Sequence, residues 1–275
     1  MSTVTLKSSR EHRVTVPSLA RRKLRGDKLT MLTAYDFTFA QIFDGAEIDL
    51  LLVGDSLGNV MQGQDTTLPV TLDDIVYHTR AVARAAQRSL VVADMPFGSY
   101  QISPEDAVRN AIRCIKDGGA QAVKLEGGVH VADTIERITQ ADIPVMGHVG
   151  LTPQSIHRMG GHRVQGRNDD SRERVLADAR AVEAAGAFAL VIEGVPADLG
   201  REITQGVSIP TIGIGAGVDC DGQVLVMHDL LGLTDWSPSF AKQYANLGSL
   251  AAQAARSFAE EVGNSKFPDE EHSYR

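Results

Sequence analysis

The sequence predicts an α/β protein built as a (β/α)8 TIM barrel, and three observations lead there. Eight short apolar runs recur along the 275 residues, separated by stretches with helical spacing. Each run stops at a polar or glycine-rich tip, and five of them, the second to the sixth, run directly into Asp, Glu, Lys or His. No inserted domain interrupts the alternation. A carboxylate or His at the end of a strand is a poor choice for packing alone. It makes sense where parallel strands bring their C-terminal ends around one site, as in a barrel. A doubly wound sheet would rarely use eight equal units, whereas single α/β barrels commonly run to about 250 residues.

Residues 1–28 are polar and basic. Within them Ser18 is suited to N-cap a short helix to about Leu24, with Gly26 as its stop. Leu29–Thr33 reads as the first strand, closing on Tyr35 and Asp36, and Phe37–Ala46 follows with helical spacing. The second strand, Leu50–Gly54, runs into Asp55. A loop with Gly58, Gly63 and Pro69 then leads to a helix over Leu72–Ala86. So long a connection in a compact domain tends to be functional. The third strand, Leu90–Ala93, runs into Asp94, and Ser103-Pro104 opens the next helix, Pro being favoured in a first turn. Ala122–Val123 leads into Lys124 and Glu126, followed by a helix over about Val131–Thr139, and Ile143–Gly147 meets His148.

The stretch from Leu151 to Asp170 is irregular, and its Gly160-Gly161-His162-Arg163-Val164-Gln165-Gly166-Arg167 suits a mobile lid as well as a solvated loop. Phe188–Ile192 ends in Glu193, and Ile209–Ile212 ends in Gly213-Ile214-Gly215-Ala216-Gly217. The eighth strand, Gln223–Val226, ends in Met227-His228-Asp229. An Ala-rich amphipathic helix over about Phe240–Val262 and a charged tail complete the chain. The expected organisation is an N-terminal extension at 1–28, one barrel with its C-terminal helix at 29–262, and a tail at 263–275.

Composition narrows the function. Apolar content of 43% with 23% charged residues is ordinary for a globular protein. A net charge of −8 argues against a nucleic-acid partner, which needs a basic stripe. No apolar stretch approaches the roughly 20 residues of a membrane span, and the N-terminus lacks the apolar core of a secretory signal. Arg10, Arg13, Arg21 and Arg22 outnumber nearby acids, a composition that transit peptides share. Two cysteines, Cys114 and Cys220, give no disulfide framework. A reducing, cytoplasmic compartment is expected.

Asp55, Asp94 and Glu126 end three consecutive strands. Adjacent strands lie about 4.8 Å apart, so these tips can converge on one ion. An oxygen-only site with spare water positions suits Mg²⁺; the plain alternative is that each carboxylate caps a helix or pairs with a cation. Lys124 lies two residues before Glu126 and so shares its face of the strand. It could clamp a substrate carboxylate, form a Schiff base if desolvated, or serve only in an ion pair. Glu193 faces the mouth from the opposite side and is a general-base candidate, because burial near other carboxylates would raise its pKa. His148 could polarise a carbonyl or orient a carboxylate, or simply be a satisfied core histidine. His228 and Asp229 read as structural. The G-x-G-x-G run follows the seventh strand rather than the first, which makes it a poor dinucleotide signal; its glycines could admit a bulky cofactor edge.

Six ordered motifs then carry a resemblance: TAYD (Thr33–Asp36), VGDSLG (Val53–Gly58), ADMPF (Ala93–Phe97), VKLEGG (Val123–Gly128), GHVGLTPQS (Gly147–Ser155) and IGIGAG (Ile212–Gly217). Together they resemble the 3-methyl-2-oxobutanoate (ketopantoate) hydroxymethyltransferase family, from about residue 29 to 235. The resemblance implies a barrel of the phosphoenolpyruvate/pyruvate superfamily and a cytosolic homodecamer making a pantothenate precursor. It implies Mg²⁺ held through Asp55 and Asp94, with Glu126 in or near its coordination shell. It further implies a 2-oxoacid bound by Asp55, Ser56, Asp94 and Lys124, Glu193 as proton acceptor, His148 in the site, and Tyr35 lining the pocket. At position 162 the family pattern leads one to expect an aromatic where this chain has His162, which touches the fine detail of the lid.

The expected reaction moves a hydroxymethyl group from 5,10-methylenetetrahydrofolate to 3-methyl-2-oxobutanoate through a Mg²⁺-stabilised enolate, giving 2-dehydropantoate. The same residues would also serve a Mg²⁺-dependent lyase or mutase of the superfamily acting on a small 2-oxoacid, which would need no folate. A class I aldolase would use Lys124 covalently, and a noncatalytic sensor would bind an oxoacid without turning it over.

Overall fold

The computed structural model describes residues 13–161 and 163–274. Arg10 of the basic N-terminus and His162 of the glycine-rich segment lie outside the described residues.

Eight parallel strands close into a barrel in chain order. They are β1 (Leu29–Thr33), β2 (Leu50–Val53), β3 (Leu90–Asp94), β4 (Ala122–Glu126), β5 (Val145–Gly150), β6 (Ala189–Glu193), β7 (Thr211–Ile214) and β8 (Gly222–Leu225). Leu29 pairs with Gly222 where β1 meets β8. The helices are α1 (Val16–Arg25), α2 (Phe37–Gly45), α3 (Leu57–Val60), α4 (Leu72–Ala85), α5 (Pro104–Lys116), α6 (Ala132–Thr139), α7 (Ile156–Met159), α8 (Asp169–Ala184), α9 (Ala197–Gly206), α10 (Met227–Leu231) and α11 (Leu247–Gly263). The chain divides into two compact units, Met1–Val226 with the barrel and Met227–Arg275 with α10 and α11.

Strand parity explains how the core and the mouth share the same strands. Leu90 and Val92, Ala122, Met146, and Ala189 and Val191 belong to the central apolar cluster. Side chains two residues apart share a face. The inward rows therefore continue upward to Asp94 on β3, Lys124 and Glu126 on β4, His148 on β5 and Glu193 on β6. The lower layers are apolar and the uppermost one is charged, so one set of strands both fills the barrel and furnishes its mouth.

At the other end α1 plugs the barrel, with Leu19 buried in the same cluster as Val14, Leu29 and Met31. Its neighbours Arg22 and Lys23 each hold an aspartate. Arg22 pairs with Asp49, which Arg88 also reaches at 2.8 Å. Lys23 Nζ donates to Asp221 Oδ2 at 2.9 Å and to the Ile209 and Thr204 carbonyls. Both aspartates make the same exchange with a strand threonine: Asp49 Oδ2 accepts from Thr30 N, and Asp221 Oδ2 from Thr211 N, at 3.0 and 2.8 Å.

Element boundaries shift for identifiable reasons. The N-cap of α1 is Thr15, not Ser18, because Pro17 supplies a helix-ready φ one position earlier. Ser18 instead sits at the third helical position and accepts from Thr15 N at 2.9 Å. Gly26 ends α1 in the left-handed conformation, as expected. Strands β5 and β7 begin after Pro144 and Pro210, which have no N–H for the ladder. The two proline carbonyls accept from Val123 and Leu190. Helix α11 starts at Leu247 rather than near Phe240, since Asn246 provides the cap by accepting from Ser249 N. The region from Leu151 to Asp170 is not wholly irregular: a 3-10 turn at Pro153–Ser155 runs into α7, which Gly160 stops in a left-handed conformation. Among the described residues no helix is long and apolar enough to cross a membrane, and both cysteines are buried free thiols.

Candidate active site

Register builds the site. Asp94 stands opposite Lys124 across β3 and β4, and Glu126 stands opposite His148 across β4 and β5. Lys124 Nζ donates to both oxygens of Asp94, at 2.7 and 2.6 Å. The His148 ring lies between two carboxylates, with Nδ1 3.5 Å from Glu126 Oε1 and Nε2 3.2 Å from Glu193 Oε2. Asp55 breaks the parity of β2, because the chain turns at Gly54. It joins the group through its backbone N–H, which donates to Asp94 Oδ2 at 3.3 Å. Asp55, Asp94, Lys124, Glu126, His148 and Glu193 are thus brought together. Next to Asp55, the hydroxyls of Ser56 and the buried Tyr35 share a hydrogen bond of 2.8 Å, and the Tyr35 carbonyl faces His78 Nδ1 at 2.6 Å.

Glu193 differs from its expected setting. Its side chain is 16% exposed, and the charged group beside it is the His148 ring rather than another carboxylate. It reaches the mouth because β6 lies close to β5 at Gly150, whose φ is +93°. A Cβ there would sit 2.3 Å from the Glu193 carbonyl oxygen, so only glycine admits this approach.

Charge is concentrated in a dry place. Burial, and then the Glu126 charge, push Asp55 up to about 6 against the pull of Lys124. Burial likewise raises Asp94 to about 6 although Lys124 opposes it. For Lys124, burial alone would lower the pKa, but Asp94, Glu126 and Asp55 outweigh it and hold the ammonium above its ordinary range. Burial and Lys124 also oppose charge on His148, yet Glu126 and Glu193 prevail and bring it to about 9. The surrounding carboxylates thus favour the charged form of both Lys124 and His148. A Schiff base needs a neutral amine, so this setting works against a covalent role for Lys124.

The donor set fits a hard divalent cation. Mg²⁺ takes oxygen ligands and is usually bound through one or two carboxylates, with waters and substrate completing the octahedron. Asp55 and Asp94 meet that description, and Glu126 Oε1 is a buried oxygen without a hydrogen-bond donor. Among the described residues no three His, Cys, Asp or Glu side chains form a ready-made cage.

Two residues at this mouth escape a reading by strand tips. Gln154, in the turn after β5, donates from Nε2 to Asp55 Oδ2 at 2.9 Å and to the Met95 carbonyl at 3.0 Å. Its backbone N–H donates to Glu126 Oε2 at 3.0 Å. Tyr100, in the loop after β3, donates its hydroxyl to Gln154 Oε1 at 2.7 Å. The only sequence signal for Gln154 is its place in GHVGLTPQS; Tyr100 has none.

Two glycines of the run that ends β7 and follows it are closely packed. A Cβ on Gly213 would lie 2.9 Å from Cys220 Sγ, and one on Gly217 2.6 Å from Ala197 Cβ. His228 and Asp229 fall in the C-terminal unit, on α10.

The sequence model of the ketopantoate hydroxymethyltransferase family matches residues 13–270. The chain is 56% identical over 261 residues to a protein of Geobacter metallireducens named 3-methyl-2-oxobutanoate hydroxymethyltransferase, covering 94% of this chain and 98% of the relative. The protein of that name from Moorella thermoacetica is 57% identical over 264 residues, covering 96% and 98%. Among solved structures, the fold is similar to 2,3-dimethylmalate lyase, a PEP mutase/isocitrate lyase superfamily member, with a TM-score of 0.58 at 19% identity over 94% of this chain and 91% of that one. Phosphonopyruvate hydrolase in complex with oxalate and Mg²⁺ gives a TM-score of 0.60 at 13% identity, covering 94% and 92%.

Proposed function

This chain belongs to the ketopantoate hydroxymethyltransferase family, and we propose that it transfers a hydroxymethyl group from 5,10-methylenetetrahydrofolate to 3-methyl-2-oxobutanoate. The product would be 2-dehydropantoate, for pantothenate and coenzyme A biosynthesis. The observation that carries the reading is identity above half along nearly the whole chain with relatives of that name. The convergent Asp55, Asp94, Lys124, Glu126, His148 and Glu193 support it.

Asp55 and Asp94 would hold Mg²⁺, with Glu126 at or beside its shell. When bound, the ion supplies Lewis acidity toward the carbonyl and carboxylate oxygens of a 2-oxoacid. Lys124 offsets the substrate carboxylate with a charge that Asp94 already fixes in place. Ser56, oriented by the Tyr35 hydroxyl, offers a hydroxyl beside Asp55. His148 holds one oxygen of Glu193, leaving the other to take the C3 proton. Water cleaves the one-carbon unit from both folate nitrogens as formaldehyde, leaving tetrahydrofolate. Carbon C3 of the enolate then bonds to the formaldehyde carbon, whose oxygen takes up a proton to become the hydroxyl. Family membership also supports a cytosolic homodecamer.

The test is exchange of the C3 proton of 3-methyl-2-oxobutanoate in D₂O, followed by NMR, with Mg²⁺ or EDTA. Mg²⁺-dependent exchange is expected. No exchange with or without tetrahydrofolate would remove this substrate. Turnover of a 2-oxoacid without folate would favour the lyase or mutase chemistry instead.

A further inference from the structure

We propose that Gln154 is a positioning residue whose amide and backbone N–H fix the orientation of Asp55 and Glu126 at the barrel mouth. The inference rests on the reading of Asp55 as a ligand of Mg²⁺.

Gln154 hydrogen-bonds both of these carboxylates. Its Nε2 donates to Asp55 Oδ2 and its N–H to Glu126 Oε2. The amide can sit only one way round. Asp55 Oδ2 and the Met95 carbonyl are both acceptors, so the NH₂ must face them. The oxygen end is set by Tyr100, whose hydroxyl accepts from Glu126 N at 3.2 Å and donates to Gln154 Oε1. Tyr100 and Gln154 are both buried, so neither amide nor hydroxyl has water as a ready substitute. One oxygen of each carboxylate thus accepts from Gln154, which narrows the directions open to a cation. Gln154 also belongs to the turn Pro153–Ser155 that begins the connection to α8. The orientation of Asp55 is therefore tied to the seating of that segment.

Gln154→Met keeps the length of the side chain and removes the amide that holds Asp55, while the backbone N–H to Glu126 stays; Tyr100→Phe removes only the hydroxyl that orients the amide. The probe is Mn²⁺, titrated into the purified protein and followed by EPR, beside thermal unfolding and steady-state kinetics. Loss of a residue that orients a ligand typically weakens metal binding about 10- to 100-fold. That loss is expected for Gln154→Met, with a smaller loss in the same direction for Tyr100→Phe. Both should melt close to wild type, and kcat should fall more than KM rises. Wild-type Mn²⁺ affinity in Gln154→Met would overturn the proposal. So would a loss that tracks thermal destabilisation while Tyr100→Phe binds normally, since that marks packing alone. A wild-type protein that binds no Mn²⁺ would instead strike the metal reading itself, and the inference would fall with it.

Discussion

Lys124 Nζ is shared between the two oxygens of Asp94, at 2.7 and 2.6 Å, in the uppermost inward layer of the barrel. The pair joins neighbouring strands at residues that stand opposite in register. Removing one partner of a buried pair leaves the other uncompensated, at about 3–5 kcal/mol. Lys124→Met should approach that loss in urea unfolding at high pH. The loss should shrink as the pH falls toward the pKa of Asp94, because a neutral carboxyl needs no cation. Equal stability of the two proteins at pH 8 would show that Asp94 is neutral in the native state.

Lys124 is held as an ammonium by three carboxylates. Borohydride added with 3-methyl-2-oxobutanoate should therefore leave the protein mass unchanged. A stable adduct on Lys124 would overturn the noncovalent assignment.

Glu193→Gln tests the proton acceptor. General-base catalysis contributes roughly 10²–10⁴-fold, and turnover should drop by about that factor while Mg²⁺ affinity holds. Unchanged turnover would take Glu193 out of the role.

Asp94→Asn should weaken Mg²⁺ binding in calorimetric titration, because an amide oxygen replaces an anionic donor. Retained affinity would mean that Asp94 is not a ligand.

Asp44 is buried at the end of α2 and accepts from the N–H groups of Gln87, Arg88 and Ser89. Burial works to raise its pKa, but these bonds outweigh it and hold the carboxyl below its ordinary value. Stability from such a group is full above the unfolded pKa and is lost as the pH falls through the folded one. Asp44→Asn should cost about 1–3 kcal/mol at pH 7, and the gap from wild type should close in acid below about pH 4. A gap of the same size at pH 3 would show that the anion is not what matters.

The barrel and most of its mouth were legible because parity is a sequence property. Leu90, Val92 and Asp94 alternate with outward residues, and so do Ala122, Lys124 and Glu126; a reader needs only the period of two. Asp55 was found by its motif and its position after an apolar run, although it lies off the parity of β2. Gln154 and Tyr100 were not legible, since they enter from turns whose direction is set by tertiary contacts. Helix starts were blurred for a local reason. Ser18 and Thr15 are both good caps, and Pro17 decides between them only once its φ is considered.

The paired grip of α1 also dictates an order of events in synthesis. Arg22 and Lys23 leave the ribosome early, as neighbours, and Asp49 follows soon after. The last of the acceptors of Lys23, and the only carboxylate among them, arrives with Asp221, nearly two hundred residues later in the chain. Until then the nascent polypeptide carries a helix whose apolar side, with Leu19, has no completed barrel to enter. The last strand to be made is the one that lets the first helix settle, so a stalled ribosome would hold out a chain still open at both ends of its seam.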